Sequence, residues 1–104
     1  MRSKIESYLG FAAKARKLVS GTSTCIFTMS KGKAKLLIVA SDISENSKQK
    51  LLDAANKNKV EYRIYGESDA LSKISGTSGR SAFVLTDKQF AECILREIDS
   101  MQRV

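Results

Sequence analysis

Residues 36–40 read Leu-Leu-Ile-Val-Ala without a polar interruption, between Lys35 and Ser41-Asp42. A strand with one wet face alternates apolar and polar side chains. Five apolar residues in a row suit a strand that is central in its sheet and covered on both faces. Helices must then lie above and below that strand, which confines the chain to a layered α/β arrangement.

The rest of the sequence supplies the layers. Ser3-Lys4-Ile5-Glu6 has the form of a capping box, and Ile5, Tyr8, Leu9, Ala12 and Ala13 follow at helical spacing, so a first amphipathic helix starts there. Leu18-Val19-Ser20, stopped by Gly21, is a brief strand. A second helix is expected from Thr22 to Lys31, with Gly32 as its left-handed terminator. Its residues are mediocre helix formers, so it must depend on packing through Cys25, Ile26 and Met29. Phe27 is two positions from both Cys25 and Met29, roughly 200° around the helix on a 3.6-residue repeat, and is therefore expected outside.

Ser44 opens a third helix that carries Leu51, Leu52 and Ala55 and frays near Asn58. Val60 to Tyr65 is the next strand, Ala70, Leu71 and Ile74 belong to a short helix, and Ser81 to Leu85 is the last strand. Thr86 or Asp87 caps a final helix with Phe90, Ile94, Leu95, Ile98 and Met101 inward. The expected fold is a three-layer α/β/α sandwich around a small sheet of about four strands, mixed or mostly parallel, in one domain over residues 1–104.

Charge is divided unevenly. Residues 1–35 hold eight bases (Arg2, Lys4, Lys14, Arg16, Lys17, Lys31, Lys33 and Lys35) against one acid, Glu6, whereas residues 36–104 hold ten of each. A one-sided excess of this kind favours a polyanion as partner. No apolar run is long enough to span a bilayer and no signal peptide is visible, so a cytoplasmic protein without a membrane partner is expected. Cys25 and Cys93 fall in apolar helical positions and the chain has no histidine, so reduced core thiols are expected, with no metal site and no cofactor.

Catalysis finds little support. A general base would have to be a carboxylate or a thiol, and Asp42, Asp69 and Asp87 stand at strand ends or helix starts, where capping explains them. Neither Gly21-Thr22-Ser23-Thr24 nor Gly76-Thr77-Ser78-Gly79-Arg80 has the spacing of a nucleotide-binding glycine loop. Each still exposes backbone donors, and the second carries Arg80, although a plain flexible connector would read the same. Ligands of α/β folds collect where turns and helix starts meet at strand ends. The turn at Gly21, the turn Ser41-Asp42-Ile43 and the loop from Gly76 to Ser81 are candidates to converge, rimmed by Lys14, Arg16, Lys17, Lys31, Lys33 and Lys35. A basic, hydroxyl-rich, glycine-lined surface suits RNA.

The blocks Leu9-Gly10-Phe11-Ala12-Ala13-Lys14-Ala15-Arg16-Lys17-Leu18-Val19-Ser20-Gly21 and Lys31-Gly32-Lys33-Ala34-Lys35-Leu36-Leu37-Ile38-Val39-Ala40-Ser41-Asp42 resemble the YlxQ-type bacterial members of the kink-turn RNA-binding ribosomal-protein superfamily, the L-seven-Ae family. The likeness continues through Tyr62-Arg63-Ile64-Tyr65 and Ala82-Phe83-Val84-Leu85-Thr86-Asp87. It implies an α/β/α sandwich that binds RNA, typically a kink-turn in ribosomal or regulatory RNA, without catalysis or cofactor; a monomer is expected, with ribosomal proteins as candidate further partners. The familiar members begin the second helix with Gly-x-Asn-Glu-x-x-Lys. Gly21 matches the glycine, but Ser23 stands for Asn, Thr24 for Glu and Phe27 for Lys. A threonine hydroxyl accepts more weakly than a carboxylate, and a phenyl ring replaces a phosphate contact only by stacking on a base.

Two functions remain open on these grounds. The first is recognition of structured RNA, the kink-turn included, through Gly21, Thr22, Ser23, Thr24, Phe27, Ser41, Asp42, Ile43, the loop Gly76, Thr77, Ser78, Gly79, Arg80 and Ser81, and the lysines Lys31, Lys33 and Lys35. The second is a protein-interaction module of the same fold, centred on an exposed Phe27.

Overall fold

The computed structural model describes residues 3–102, which leaves Arg2 of the basic segment outside the described residues. In chain order the elements are α1 (Lys4–Lys14), β1 (Leu18–Ser20), α2 (Thr22–Ser30), β2 (Leu36–Val39), α3 (Glu45–Lys57), β3 (Tyr62–Ile64), α4 (Ser68–Ile74), β4 (Ala82–Leu85) and α5 (Lys88–Gln102). The four strands form one sheet in the order β1-β4-β2-β3. β4 runs antiparallel to both β1 and β2, and β2 runs parallel to β3. The sheet is therefore mixed, with a single parallel pair.

The apolar run at residues 36–40 is central as required. Leu36, Ile38 and Ala40 pack on one side with Phe83 and Leu85, against Ile5, Leu9 and Ala12 of α1, Leu71 of α4 and Ile94 and Ile98 of α5. Leu37 and Val39 point to the other side and join Ala82 and Val84 against Cys25 and Met29 of α2 and Leu51 and Ala55 of α3. The two-residue alternation of a strand thus splits one apolar run between two cores.

The caps follow the sequence closely. Ser3 accepts from the Glu6 N–H at 3.2 Å and its hydroxyl meets the Glu6 carboxylate at 3.3 Å. Ser44 accepts from the Ser47 N–H, and Asp87 rather than Thr86 caps α5, accepting from the Phe90 N–H at 3.0 Å. Gly32 takes φ 72° just past the end of α2.

In α4, Leu71 and Ser72 turn inward and Ala70 is exposed. One core assignment is corrected: Met101 is 61% exposed. The fifteen residues of α5 span about 22 Å, whereas a four-residue strand covers about 13 Å, so the last turn of the helix runs past the core it packs on. The Arg63 guanidinium, held charged by Asp99 and Glu61, ties α5 to the edge strand β3 through bonds of 2.8 Å and 3.2 Å to the Asp99 carboxylate.

Candidate functional site

The strand register decides which of the candidate residues meet. Gly21 follows β1 and donates its N–H to the Ala82 carbonyl at 2.9 Å, while Ala40, at the end of β2, donates to the Ser81 carbonyl at 2.9 Å. The turns at 21 and 41 and the loop from 76 to 81 therefore gather at one end of the sheet. The convergence expected from the sequence is present.

At this end the polar side chains are bonded to one another. Ser41 donates from both its N–H and its hydroxyl to the Gly66 carbonyl, at 2.7 Å and 2.8 Å. Asp42 accepts from the N–H and hydroxyl of Ser68 at 2.9 Å and 2.8 Å, and those two bonds hold its carboxyl below the usual range. Ser68 in turn shares a 2.7 Å hydroxyl contact with Ser81. The start of α4, the turn after β2 and the start of β4 are locked together. Asp42 is thus the structural acid that capping explained.

The loop from 76 to 81 is pinned by a residue that sequence reasoning passed over. Ser72, only 2% exposed, accepts from the Arg80 N–H at 2.9 Å and donates to the Arg80 carbonyl at 3.0 Å. Its own carbonyl accepts from the Thr77 N–H at 2.8 Å. Ser75 and Thr77 add a hydroxyl pair at 2.9 Å. The loop is an ordered hydrogen-bonded cap rather than a loose connector. A serine inside a short helix gives no sequence signal for this role, because its partners lie eight residues on.

That clamp aims Arg80. A Cβ placed on Gly21 would stand 2.9 Å from Arg80 Nη1 and 3.7 Å from its Cζ, so the guanidinium lies against the bare Cα at the start of α2. Gly21 has φ 98°, a conformation that side-chain-bearing residues rarely adopt, and it contributes no side-chain cap to the helix. The first N–H groups of α2, on Thr22, Ser23 and Thr24, lack intrahelical acceptors by helix geometry. Arg80 and these donors form a compact, electropositive, donor-rich edge.

From this edge an exposed stripe runs down α2. Ser23 and Thr24 are exposed, Phe27 is 61% exposed, and Lys31 places its ammonium 5.3 Å from the Phe27 ring centroid. The remaining lysines do not all rim the same end. Lys35 donates its N–H to Leu85 at the far end of β4, and Lys17 accepts there from Thr86. Lys33 and Lys35, with Lys17, thus sit at the opposite end of the sheet from Gly21 and Arg80, so the expected single rim is corrected to two basic regions. Phe11, on α1, is a second exposed aromatic at 57%. It stands two positions from Leu9, so the spacing that put Phe27 outside would have found it.

Nothing here resembles a catalytic centre. Burial pushes the Cys25 thiol up to about 12, with the Arg80 charge drawing it only partly back, so it stays protonated and unreactive near neutral pH. Among the described residues no three of the His, Cys, Asp or Glu type gather as they would around a metal ion, and no helix is long and apolar enough to cross a membrane.

A model of the ribosomal protein L7Ae/L30e/S12e/Gadd45 family matches residues 3–96. The RNA-binding protein YlxQ of Bacillus subtilis (strain 168) is 33% identical over 91 residues, covering 88% of this chain and 91% of that one. The RNA-binding protein YlxQ of Enterococcus faecium is 32% identical over 92 residues, covering 88% and 87%. A protein of unknown function from Bacillus halodurans C superimposes with a TM-score of 0.90 at 28% identity, over 94% of this chain and 99% of the other. The 15.5kD RNA binding protein of Giardia lamblia, at 16% identity, shares the fold with a TM-score of 0.75 over 97% of this chain and 92% of its own.

Proposed function

This chain belongs to the ribosomal protein L7Ae/L30e/S12e/Gadd45 family, and from that premise we propose that it is a non-catalytic, cytoplasmic RNA-binding protein of the translation apparatus that grips a structured RNA of the kink-turn kind. The observation that carries the reading is the juxtaposition of Arg80 with Gly21 at the start of α2. Free backbone donors and a guanidinium lying against the bare Cα, in a turn that itself carries no acid, make a place for a phosphate or a purine edge. Ser23 and Thr24 supply hydroxyls at the exposed helix start, and Phe27 offers a ring on which a base stacks, with Lys31 beside it for the backbone.

The names carried by the two YlxQ relatives support RNA as the ligand. The mode of recognition follows from chemistry. Ser23 and Thr24 hold neither the amide nor the carboxylate of the familiar signature, so base-edge selectivity is weaker and shape, stacking and phosphate contacts carry more of the affinity.

The test is a titration against a kink-turn RNA and a plain hairpin of equal length, by gel shift or calorimetry, at two salt concentrations. Preference for the kink-turn, with affinity that falls as salt rises, is the expected result. Equal binding to both would leave a general RNA binder. Binding to neither would favour the protein-interaction reading, for which the exposed Phe27 is the natural anchor and salt sensitivity would be slight.

A further inference from the structure

We infer that the cleft between α1 and α4 is a second RNA subsite, built to take one unstacked nucleotide, an inference that rests on reading the chain as an RNA-binding protein. The cleft has a volume of about 340 Å³, at the small end of the roughly 300–1,000 Å³ of small-ligand sites. Phe11 forms one wall and is 57% exposed, which leaves its ring accessible to a ligand in the cleft. Lys14 lies three residues on along α1 and so shares the Phe11 face. Lys73 and Ile74 form the opposite wall from α4.

The lining chemistry selects the ligand. An aromatic face flanked by two lysines, with no Asp or Glu lining the cleft among the described residues, matches a planar base whose phosphates carry negative charge. An acidic peptide would satisfy the lysines but brings no flat group for Phe11. Continuity favours RNA again: Gly76 lines the cleft and begins the loop that ends at Arg80, and nothing stands within 4 Å of where its Cβ would be. The arrangement would let one RNA hold α2 and α1 together, on opposite faces of the sheet.

The chain contains no tryptophan, so Phe11→Trp places a single tryptophan, excited selectively over the three tyrosines, in the cleft at a position whose exposure tolerates the larger ring. We would titrate this variant with the RNA hexamer oligo(A) and with hexaglutamate at low salt. Quenching by oligo(A) that weakens by about tenfold in a Lys14→Gln/Lys73→Gln background, with hexaglutamate silent, is the expected result. No quenching by oligo(A), or an equal response to hexaglutamate, would overturn the subsite. A companion gel shift uses the unlabelled protein and Phe11→Ala on the kink-turn RNA, with circular dichroism to confirm folding. A loss of about tenfold in Phe11→Ala supports the subsite. Unchanged affinity removes the subsite and leaves the Arg80 edge standing, whereas a wild-type protein that binds no RNA removes both.

Discussion

Gly21 is the residue on which the proposed surface turns. Its φ of 98° is strained for alanine, while the clash of a new Cβ would be with the movable tip of Arg80. The cost of Gly21→Ala is therefore backbone strain, about 1–3 kcal/mol, to be read from urea unfolding, and the displaced guanidinium should lower RNA affinity as well. A variant as stable as the parent would show that the turn has no need of glycine. Cys25 gives a second residue-scale expectation. Burial pushes its folded thiol from an ordinary value near 9.0 up to about 12, so the folded state keeps the proton longer. Stability from this group is whole below the unfolded value and is lost progressively as pH rises from there to the folded value, by about 1 kcal/mol between pH 8.5 and 10. Cys25→Ala should flatten that part of the profile, though it lowers the whole curve by opening a small cavity. The exposure of Phe27 was legible from spacing alone, whereas Ser72 was not, because its value lies in a backbone clamp made by another segment.

At the scale of elements, α2 separates stability from binding. Its Thr- and Ser-rich sequence has poor intrinsic propensity, and Cys25 and Met29 are fully buried against the sheet and α3. Packing holds this helix in place. Met29→Ala should cost roughly 2–5 kcal/mol in thermal or urea unfolding. Phe27→Ala, two positions away, should change stability by less than about 0.5 kcal/mol and weaken RNA binding by an amount typical of one lost stacked base, about 1–3 kcal/mol. If the two substitutions cost the same stability, the exposed ring is holding the fold and not a ligand. The elements themselves were largely readable, since caps at Ser3, Ser44 and Asp87 and the run at 36–40 are local signals. Strand pairing was less so. An α-β alternation suggests parallel strands, but the loop from 76 to 81 returns β4 antiparallel between β1 and β2, and only the long-range register reveals it.

Across the whole molecule, the uneven charge of the sequence becomes uneven charge in space. The basic segment comprises α1, β1 and α2, that is, the β1 edge of the sheet and the helices on either side of it, while the balanced remainder surrounds β3. Along the strands the positive charge is divided again: Arg80 stands beside Gly21 at one end, with Lys17, Lys33 and Lys35 at the other. A four-residue strand covers about 13 Å, so an RNA seated on Gly21 must extend along the β1 edge before its backbone meets Lys33 and Lys35. The two groups of charge therefore act on different lengths of RNA. Replacing Lys33 and Lys35 by alanine should weaken binding to a kink-turn RNA with long helical arms and reduce its log–log salt slope by about 1–2, since each phosphate contact contributes a little under one. The same variant should bind a short-armed RNA of identical core as the parent does, whereas Arg80→Ala should weaken both. Equal losses on short and long RNAs for the lysine variant would mean that these side chains act through overall charge, and that the RNA does not follow the β1 edge.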